Sequence, residues 1–246
     1  MRAAKFHRIG VVANLQKEEV RPFLAEFVPA LVRERFEVFV EPDIQPHLGS
    51  RDGVQLGIGK HCDLIVSLGG DGTILFTARQ YAQLEIPILG INVGHLGFLA
   101  EPLRDDTLQR IGDGRFRIQD RMRITAVVKE GEEVVQTFSA LNDVVVHGAG
   151  YSLAAGGPLV EPTMEAIVMT PLCPHTTSLR PLVLDSTERI DIHVFGARSK
   201  ISVTIDGQEG SYLDEGQRVV VEKSDKVTRL VVPEDYDFFN LLREKL

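Results

Sequence analysis

Residues Asp63–Leu68 read DLIVSL, a short apolar run, and lead straight into Gly69-Gly70-Asp71-Gly72-Thr73, after which Ile74–Ala82 carries a helical pattern. Strand, glycine-rich turn and helix form the repeating unit of an open parallel sheet. Glycines in such a turn let the backbone approach a ligand closely and take up positive φ. The N–H groups that open the helix make an anion site. Ligands of open α/β sheets gather at the carboxyl ends of strands, where this turn lies. These residues point to phosphate. Asp71 is the odd member, because a carboxylate repels phosphate unless it takes a proton from an attacking hydroxyl or holds a metal. The plain alternative is a tight turn in which Asp71 caps the helix. No Gly-Lys-Ser/Thr follows, so this is not a Walker A loop.

The same rhythm continues on either side. Arg8–Asn14, Phe36–Val40 and Pro87–Ile91 read as further strands. Between the first two, Val20, Phe23, Leu24, Phe27, Val28, Leu31 and Val32 recur at spacings of three and four, one face of a helix over Lys17–Arg35. Pro22 suits its first turn, whereas Pro29 strains its interior. Glu41–Lys60 reads as a loop with a short helix. The rhythm changes near Glu101. After a helix at Arg104–Ile111 the text is mostly strand-like. A hairpin spans Ile124–Phe138, and further strands fall at Ala140–Val146, Ala166–Thr170, Arg189–Val194, Lys200–Ile205, Gln217–Glu222 and Val227–Val231. Asp206-Gly207 sits where a tight turn is wanted. The expected architecture is an N-terminal open parallel-sheet α/β domain over 1–101, a C-terminal β-sandwich-like domain over 102–235, and a closing C-terminal helix over 236–246 that packs back on the first domain.

Composition narrows the function. Among 246 residues, 27 Lys and Arg stand against 35 Asp and Glu, a net charge of −8. That balance argues against a nucleic-acid binder. No apolar run approaches the ~18 residues of a membrane span. The start, MRAAKFHRIGVVAN, has no apolar core of a secretion signal. Cys62 and Cys173 are too few for a disulfide framework and read as buried thiols in a reducing compartment. A cytoplasmic location is expected. His61, Cys62 and Asp63 have no second ligand pair at zinc spacing.

Three further stretches could carry chemistry. Asn92-Val93-Gly94-His95-Leu96-Gly97-Phe98-Leu99 follows the fourth strand, with glycines for close approach and Phe98 to stack on a ring; it could equally be a glycine-rich connector. Asn142-Asp143 heads an apolar strand, where the pair could grip ribose hydroxyls or serve a turn. Tyr151-Ser152-Leu153-Ala154-Ala155-Gly156-Gly157-Pro158 is the last.

Together and in this order, these pieces resemble the NAD kinase family. Pro171-Leu172-Cys173-Pro174-His175, Arg180-Pro181-Leu182-Val183, Asp206-Gly207-Gln208 and the terminal Phe239…Leu246 extend the resemblance over nearly the whole chain. GGDGT alone is shared with lipid kinases; the combination argues against that reading. The resemblance implies transfer of a phosphoryl group from ATP or polyphosphate to the adenosine ribose 2′-hydroxyl of NAD, giving NADP. It also implies Mg²⁺ or another divalent metal, with ligands not assignable from the sequence, and a homodimer or homotetramer that meets no nucleic acid and no membrane. It assigns Asp71 to the 2′-hydroxyl, and Gly69, Gly70, Gly72 and Thr73 to the loop near the phosphates. Asn142 and Asp143 match the Asn-acidic pair that contacts NAD, where many members have Glu in place of Asp143. Tyr151 and Phe98 match aromatics of the dinucleotide site, and Asn92 belongs to the same set.

One departure stands out. In the family, a few tens of residues with an Asp-Gly turn and a T-P-T-G-S-T-A run lead from the Asn-acidic strand into Y-S. Here Val146-His147-Gly148-Ala149-Gly150 joins directly onto Tyr151. Residues 147–150 therefore read as the scar of an internal deletion. A handful of lost hydrogen bonds at ~0.5–1.5 kcal/mol each amounts to several decades of affinity. The alternative function is thus a family-fold variant with an incomplete NAD site, an inactive or weakly active binder or scaffold.

Overall fold

The computed structural model describes residues 5–48, 51–94, 97–146, 152–172, 178–195 and 200–245. The chain divides into two compact units, residues 1–120 with 228–246, and residues 121–227.

In the first unit, β1 (Arg8–Ala13) is followed by α1 (Val20–Arg33), β2 (Glu37–Val40), β3 (Val54–Leu56), β4 (Leu64–Gly69), α2 (Asp71–Gln80) and β5 (Ile88–Asn92). The strands lie in the order β3-β2-β1-β4-β5 and all pair in parallel. Every residue of β4 is buried, as befits a strand covered on both faces. Val20, Leu24, Phe27, Val28 and Leu31 of α1 are buried in one cluster with Ile9, Val11, Val38, Val66 and Leu89, the face its spacing predicts. Pro22 lies in the first turn, where its missing N–H costs nothing, and the helix runs through Pro29. The chain moves outward from β1 to β2 and then returns to the other side of β1 for β4, so the strand order reverses between β1 and β4.

The short β6 (Glu101–Pro102) adds beside β5, and α3 (Thr107–Asp113) ends at Gly114 in the left-handed conformation. The chain then enters the long strand β7 (Phe116–Glu130), which turns at Gly131 and pairs with β8 (Glu133–Ala140) as the expected hairpin. Antiparallel pairing dominates the second unit. β9 (Val144–Val146) pairs with β13 (Ile201–Ile205), which pairs with β14 (Glu209–Leu213). β10 (Ala166–Met169) pairs with β11 (Leu182–Asp185), and β12 (Ile190–His193) pairs with β15 (Gln217–Pro233). Ala126, Val128, Phe138, Val203, Ile205, Val219 and Val221 form its core. Late in β15, Leu230 pairs in parallel with Ile88 of β5. α4 (Phe238–Lys245) closes the chain.

The structure departs from the sequence reading at specific elements. β3 lies in the stretch read as a loop: it is an edge strand with only Val54 half-buried, so no alternation marks it. The sequence reading places no strand at β11 or β14: both are largely exposed, β11 is only four residues long, and β14 is mostly polar. Gln217–Glu222 and Val227–Val231 are one strand, because the polar Lys223–Lys226 between them stays extended.

Candidate active site

In the first unit, three loops meet at the carboxyl ends of β1, β4 and β5. Asn14 N–H donates to Leu68 O at 3.1 Å, and Val93 N–H donates to Gly69 O at 2.8 Å, which ties the loops after β1 and β5 to the end of β4. Gly70 is the N-cap of α2, so Asp71 is its first residue and caps nothing. Its carboxylate turns instead to the loop after β5. Phe98 N–H donates to Oδ2 at 2.7 Å, and Leu99 and Ala100 N–H donate to Oδ1 at 2.9 and 3.2 Å. Three consecutive backbone donors fix the carboxylate. A carboxylate offers about four lone-pair sites, so the remaining one is on Oδ2.

The glycines here have separate reasons. A Cβ on Gly97 would collide with the Asp71 carboxylate, and one on Gly69 with the Thr73 hydroxyl. Thr73 is buried, and its hydroxyl accepts the Gly70 N–H at 3.4 Å. It braces the loop from beneath. Asn92 donates from Nδ2 to Gly94 O at 2.8 Å, while its buried Oδ1 has no partner among the described residues. Phe98 is 37% exposed, with the Lys245 ammonium of α4 5.3 Å from its ring centroid. Gly72 is exposed at the turn.

In the second unit, Asn142 and Asp143 occupy the bend between β8 and β9. Asp206, buried in the turn from β13 to β14, grips that bend. Its Oδ1 accepts the N–H groups of Asn142 and Asp143 at 2.7 and 3.0 Å, and its Oδ2 accepts that of Leu141 at 3.0 Å. The Asp206 N–H returns a bond to Asp143 O at 2.9 Å. Asp206 and Gly207 have φ of +50° and +65°, the pair of left-handed positions that a type I′ hairpin turn requires. The Asn142 amide donates to Asp143 Oδ2 at 3.2 Å, and the buried Asp143 Oδ1 has no partner among the described residues. Burial, followed by the nearby Asp206 charge, pushes the Asp143 carboxyl upward, against the lowering effect of Asn142. An orphaned buried carboxylate oxygen costs stability in the free protein. It is where a ligand hydroxyl or amide would be worth most.

Tyr151, His95, Cys173 and the join at 147–150 lie outside the described residues. Cys62 is a buried free thiol. Among the described residues no three His, Cys, Asp or Glu side chains gather as a metal-ligand set, and no helix is long and apolar enough to cross a membrane. The sequence reading missed Asp206 as the tie of the Asn142-Asp143 bend. Its one signal was an Asp-Gly turn placed next to a second polar pair by strand pairing. Gly97 stands in the sequence only as one of several glycines that allow close approach, with nothing there to mark its contact with Asp71.

A parallel α/β unit with a glycine-rich loop at the carboxyl ends of its strands, joined to an antiparallel β-rich unit, defines a two-unit α/β-plus-β class of fold. The match to known proteins is more specific. Residues 9–114 match the ATP-NAD kinase N-terminal domain and residues 117–232 the ATP-NAD kinase C-terminal domain. The NAD kinase of Desulforamulus reducens is 34% identical over 277 positions, covering 97% of this chain and 96% of its own. That of Geobacter metallireducens is 31% identical, covering 97% and 98%. A crystal structure of yeast NADH kinase complexed with NADH superposes with a TM-score of 0.84 at 23% identity, covering 98% of this chain and 87% of that one. An NAD kinase from Archaeoglobus fulgidus in complex with ATP gives 0.59 at 22% identity, covering 97% and 98%. The chain belongs to the ATP-NAD kinase family.

Proposed function

We propose that the chain is an NAD kinase: it transfers a phosphoryl group from ATP or polyphosphate to the adenosine ribose 2′-hydroxyl of NAD and yields NADP. The observation that carries this reading is the Asp71 carboxylate, immobilised by three backbone donors at the mouth of a glycine loop with one lone pair left on Oδ2. That lone pair takes the 2′-hydroxyl proton as the ribose oxygen attacks the terminal phosphorus. The bond to the bridging oxygen breaks, and ADP or a shortened polyphosphate leaves. A fixed base contributes about 10²–10⁴ in rate, and positioning adds more. Gly69, Gly70 and Gly72 let the phosphates approach the backbone. Asn142 and Asp143 Oδ1 receive polar groups of the dinucleotide, with Asn92, Phe98 and Tyr151 as further contacts. When bound, Mg²⁺ would neutralise charge on the transferring phosphates, and it would be held chiefly by those phosphates and waters, since no three His, Cys, Asp or Glu side chains among the described residues gather to cage it. The similarity to NAD kinases, and to structures of one kinase bound to NADH and another bound to ATP, supports these substrates. The enzyme works as a cytoplasmic homodimer or homotetramer.

A second reading is favoured by a specific observation. The alignment with the D. reducens protein spans 277 positions, more than the 246 residues of this chain. That excess means that this chain lacks residues its relative has, which supports a deletion, and the join at 147–150 is its candidate place; such a loss would leave a weakly active or inactive binder. One assay separates the readings: NADP formation from NAD, ATP and Mg²⁺, by the wild type and by Asp71→Asn. Wild-type turnover lost in Asp71→Asn supports the kinase. A folded wild type with no turnover, restored by inserting the T-P-T-G-S-T-A segment, supports the second reading. Full-rate turnover by Asp71→Asn would overturn the role of Asp71.

A further inference from the structure

The loop after β1 brings a cation to the glycine turn from a part of the sequence with no glycine signature. Lys17 lies between β1 and α1. Its Nζ donates to Val93 O at 3.3 Å, sits 3.4 Å from where a Cβ on Gly70 would stand, and 3.8 Å from the same point on Gly94. Gly70 and Gly94 therefore present bare backbone beneath one ammonium group. The lysine backbone is pinned: its N–H donates to Asn14 O at 3.2 Å, and its carbonyl accepts the Val20 N–H at 3.1 Å. Asn14 Oδ1 in turn accepts the Gln16 N–H at 3.1 Å. Lys17 makes no ion pair with a carboxylate among the described residues. Its bond to Val93 O is long for an N–H···O contact, and an ammonium has three donors, so two remain to be placed.

The position matters as much as the charge. The strand order reverses between β1 and β4, and the crevice outside the carboxyl ends at such a reversal is where open α/β sheets bind ligands. Lys17 follows the first of those strands and Gly70 the second. The turn also has an electrostatic deficit: Asp71 places a negative charge beside an anion site, and no lysine follows the glycines as it does in a P-loop. A cation from the neighbouring loop compensates both. Lysine binds phosphate as a point charge on a flexible stem and needs no fork geometry.

We infer that Lys17 is a phosphate-binding residue, whose ammonium contacts the phosphate chain of a nucleotide held over Gly70 and Gly94. The assignment rests on the phosphotransferase reading of this loop, but its test does not depend on turnover. Binding of ATP–Mg²⁺, inorganic tripolyphosphate and NAD is measured by calorimetry for the wild type, Lys17→Met, Lys17→Arg and the neighbouring surface control Glu18→Gln, at low and at physiological salt. Loss of one charged contact is expected to weaken binding about 10- to 100-fold in Lys17→Met, with less salt dependence than in wild type. Lys17→Arg restores part of the affinity, and Glu18→Gln binds normally. Weakening confined to ATP and tripolyphosphate places Lys17 on the donor; weakening confined to NAD places it on the dinucleotide pyrophosphate. Unchanged binding of all three probes by Lys17→Met overturns the inference while leaving the kinase reading intact. A wild type that binds none of them overturns both. If Lys17→Met does not fold, Lys17→Gln, which keeps the stem and removes the charge, carries the same comparison.

Discussion

Asp206 is the side chain on which the Asn142-Asp143 bend depends, and Asp206→Asn tests that dependence. With the amide oxygen in place of Oδ1, the bonds from Asn142 and Asp143 N–H at 2.7 and 3.0 Å survive. The amide nitrogen then faces the Leu141 N–H, which now donates to Oδ2 at 3.0 Å. One bond to a charged acceptor is lost and two donors oppose each other, a cost of about 1–3 kcal/mol. Asp206→Ala removes both acceptor oxygens, and with them all three bonds, and costs about 3–5 kcal/mol. For a chain of this size each kcal/mol lowers Tm by roughly 2–4 °C, so the asparagine variant melts about 2–12 °C below wild type and the alanine variant lower still. Function responds selectively. A slackened bend weakens the contacts assigned to Asn142 and Asp143, so KM for NAD rises while KM for ATP stays within about twofold, since 1.4 kcal/mol of lost binding is tenfold. Scanning calorimetry reads the first effect and steady-state kinetics with each substrate varied reads the second. An Asp206→Ala variant that melts within about 1 °C of wild type would refute the reasoning.

Asp143→Asn is expected to raise stability while lowering NAD affinity. Burial and the Asp206 charge hold the Asp143 carboxyl above its unfolded value, so the penalty is full at pH above the folded value and disappears as pH falls toward the unfolded one. Thermal melts at pH 7.5 should place the variant at or above wild type, with the advantage lost in acid; a lower melt with unchanged NAD binding would contradict this. Gly97→Ala drives a methyl group into the Asp71 carboxylate, so turnover falls at least tenfold while circular dichroism stays native; undiminished turnover would show that the Asp71 position is not critical. Asp63→Asn flattens the acid limb of stability. Burial raises the Asp63 carboxyl, but bonds from the Arg8 side chain and the Arg8 and His7 N–H groups, with the Arg8 charge, outweigh it and hold it below the usual range. That stability is present above the unfolded value near pH ~4 and is lost as pH falls through the folded value. Melts from pH 7 to 3 should fall less steeply in the variant, and equal slopes would refute the assignment.

The sequence displays what burial and backbone sterics dictate directly. β4 is buried at every residue, so Asp63–Leu68 could be read as a parallel strand from its apolar run alone. The left-handed turn at Asp206 and Gly207 is written in the Asp-Gly pair. Edge strands such as β3, exposed on most of their length, leave no such trace, because their stability comes from backbone bonds that any residue can make. The chemistry followed the same division. GGDGT reads as a strand-to-helix glycine turn, but whether Asp71 caps its helix or reaches across to Phe98–Ala100 depends on which strand lies beside β4. Lys17 and Asp206 were invisible as parts of a site for that reason: Lys17 meets Val93 across 76 positions, and Asp206 meets Leu141 across 65.

Asp71 and Asp206 solve the same mechanical problem by the same means, and this bears on how the role of Asp71 can be established. Each carboxylate accepts three consecutive N–H groups from a distant loop, Asp71 from Phe98–Ala100 and Asp206 from Leu141–Asp143. Asp71→Ala would therefore free the loop carrying Phe98 as well as remove the base, and its loss of activity would not tell one from the other. Asp71→Asn separates them. Its amide oxygen at Oδ1 keeps the bonds from Leu99 and Ala100, while its amide nitrogen faces the Phe98 N–H, the same opposition of donors as in Asp206→Asn but at a residue 37% exposed. The structural penalty is then at most that of the buried case, about 1–3 kcal/mol, against a chemical penalty of about 10²–10⁴ in rate for a missing base. Separate assays read the two effects in one variant: a melt within several degrees of wild type with turnover down by at least a hundredfold assigns Asp71 to the chemistry, whereas a collapsed melt would mean that the loop, and not the proton, was what the carboxylate served.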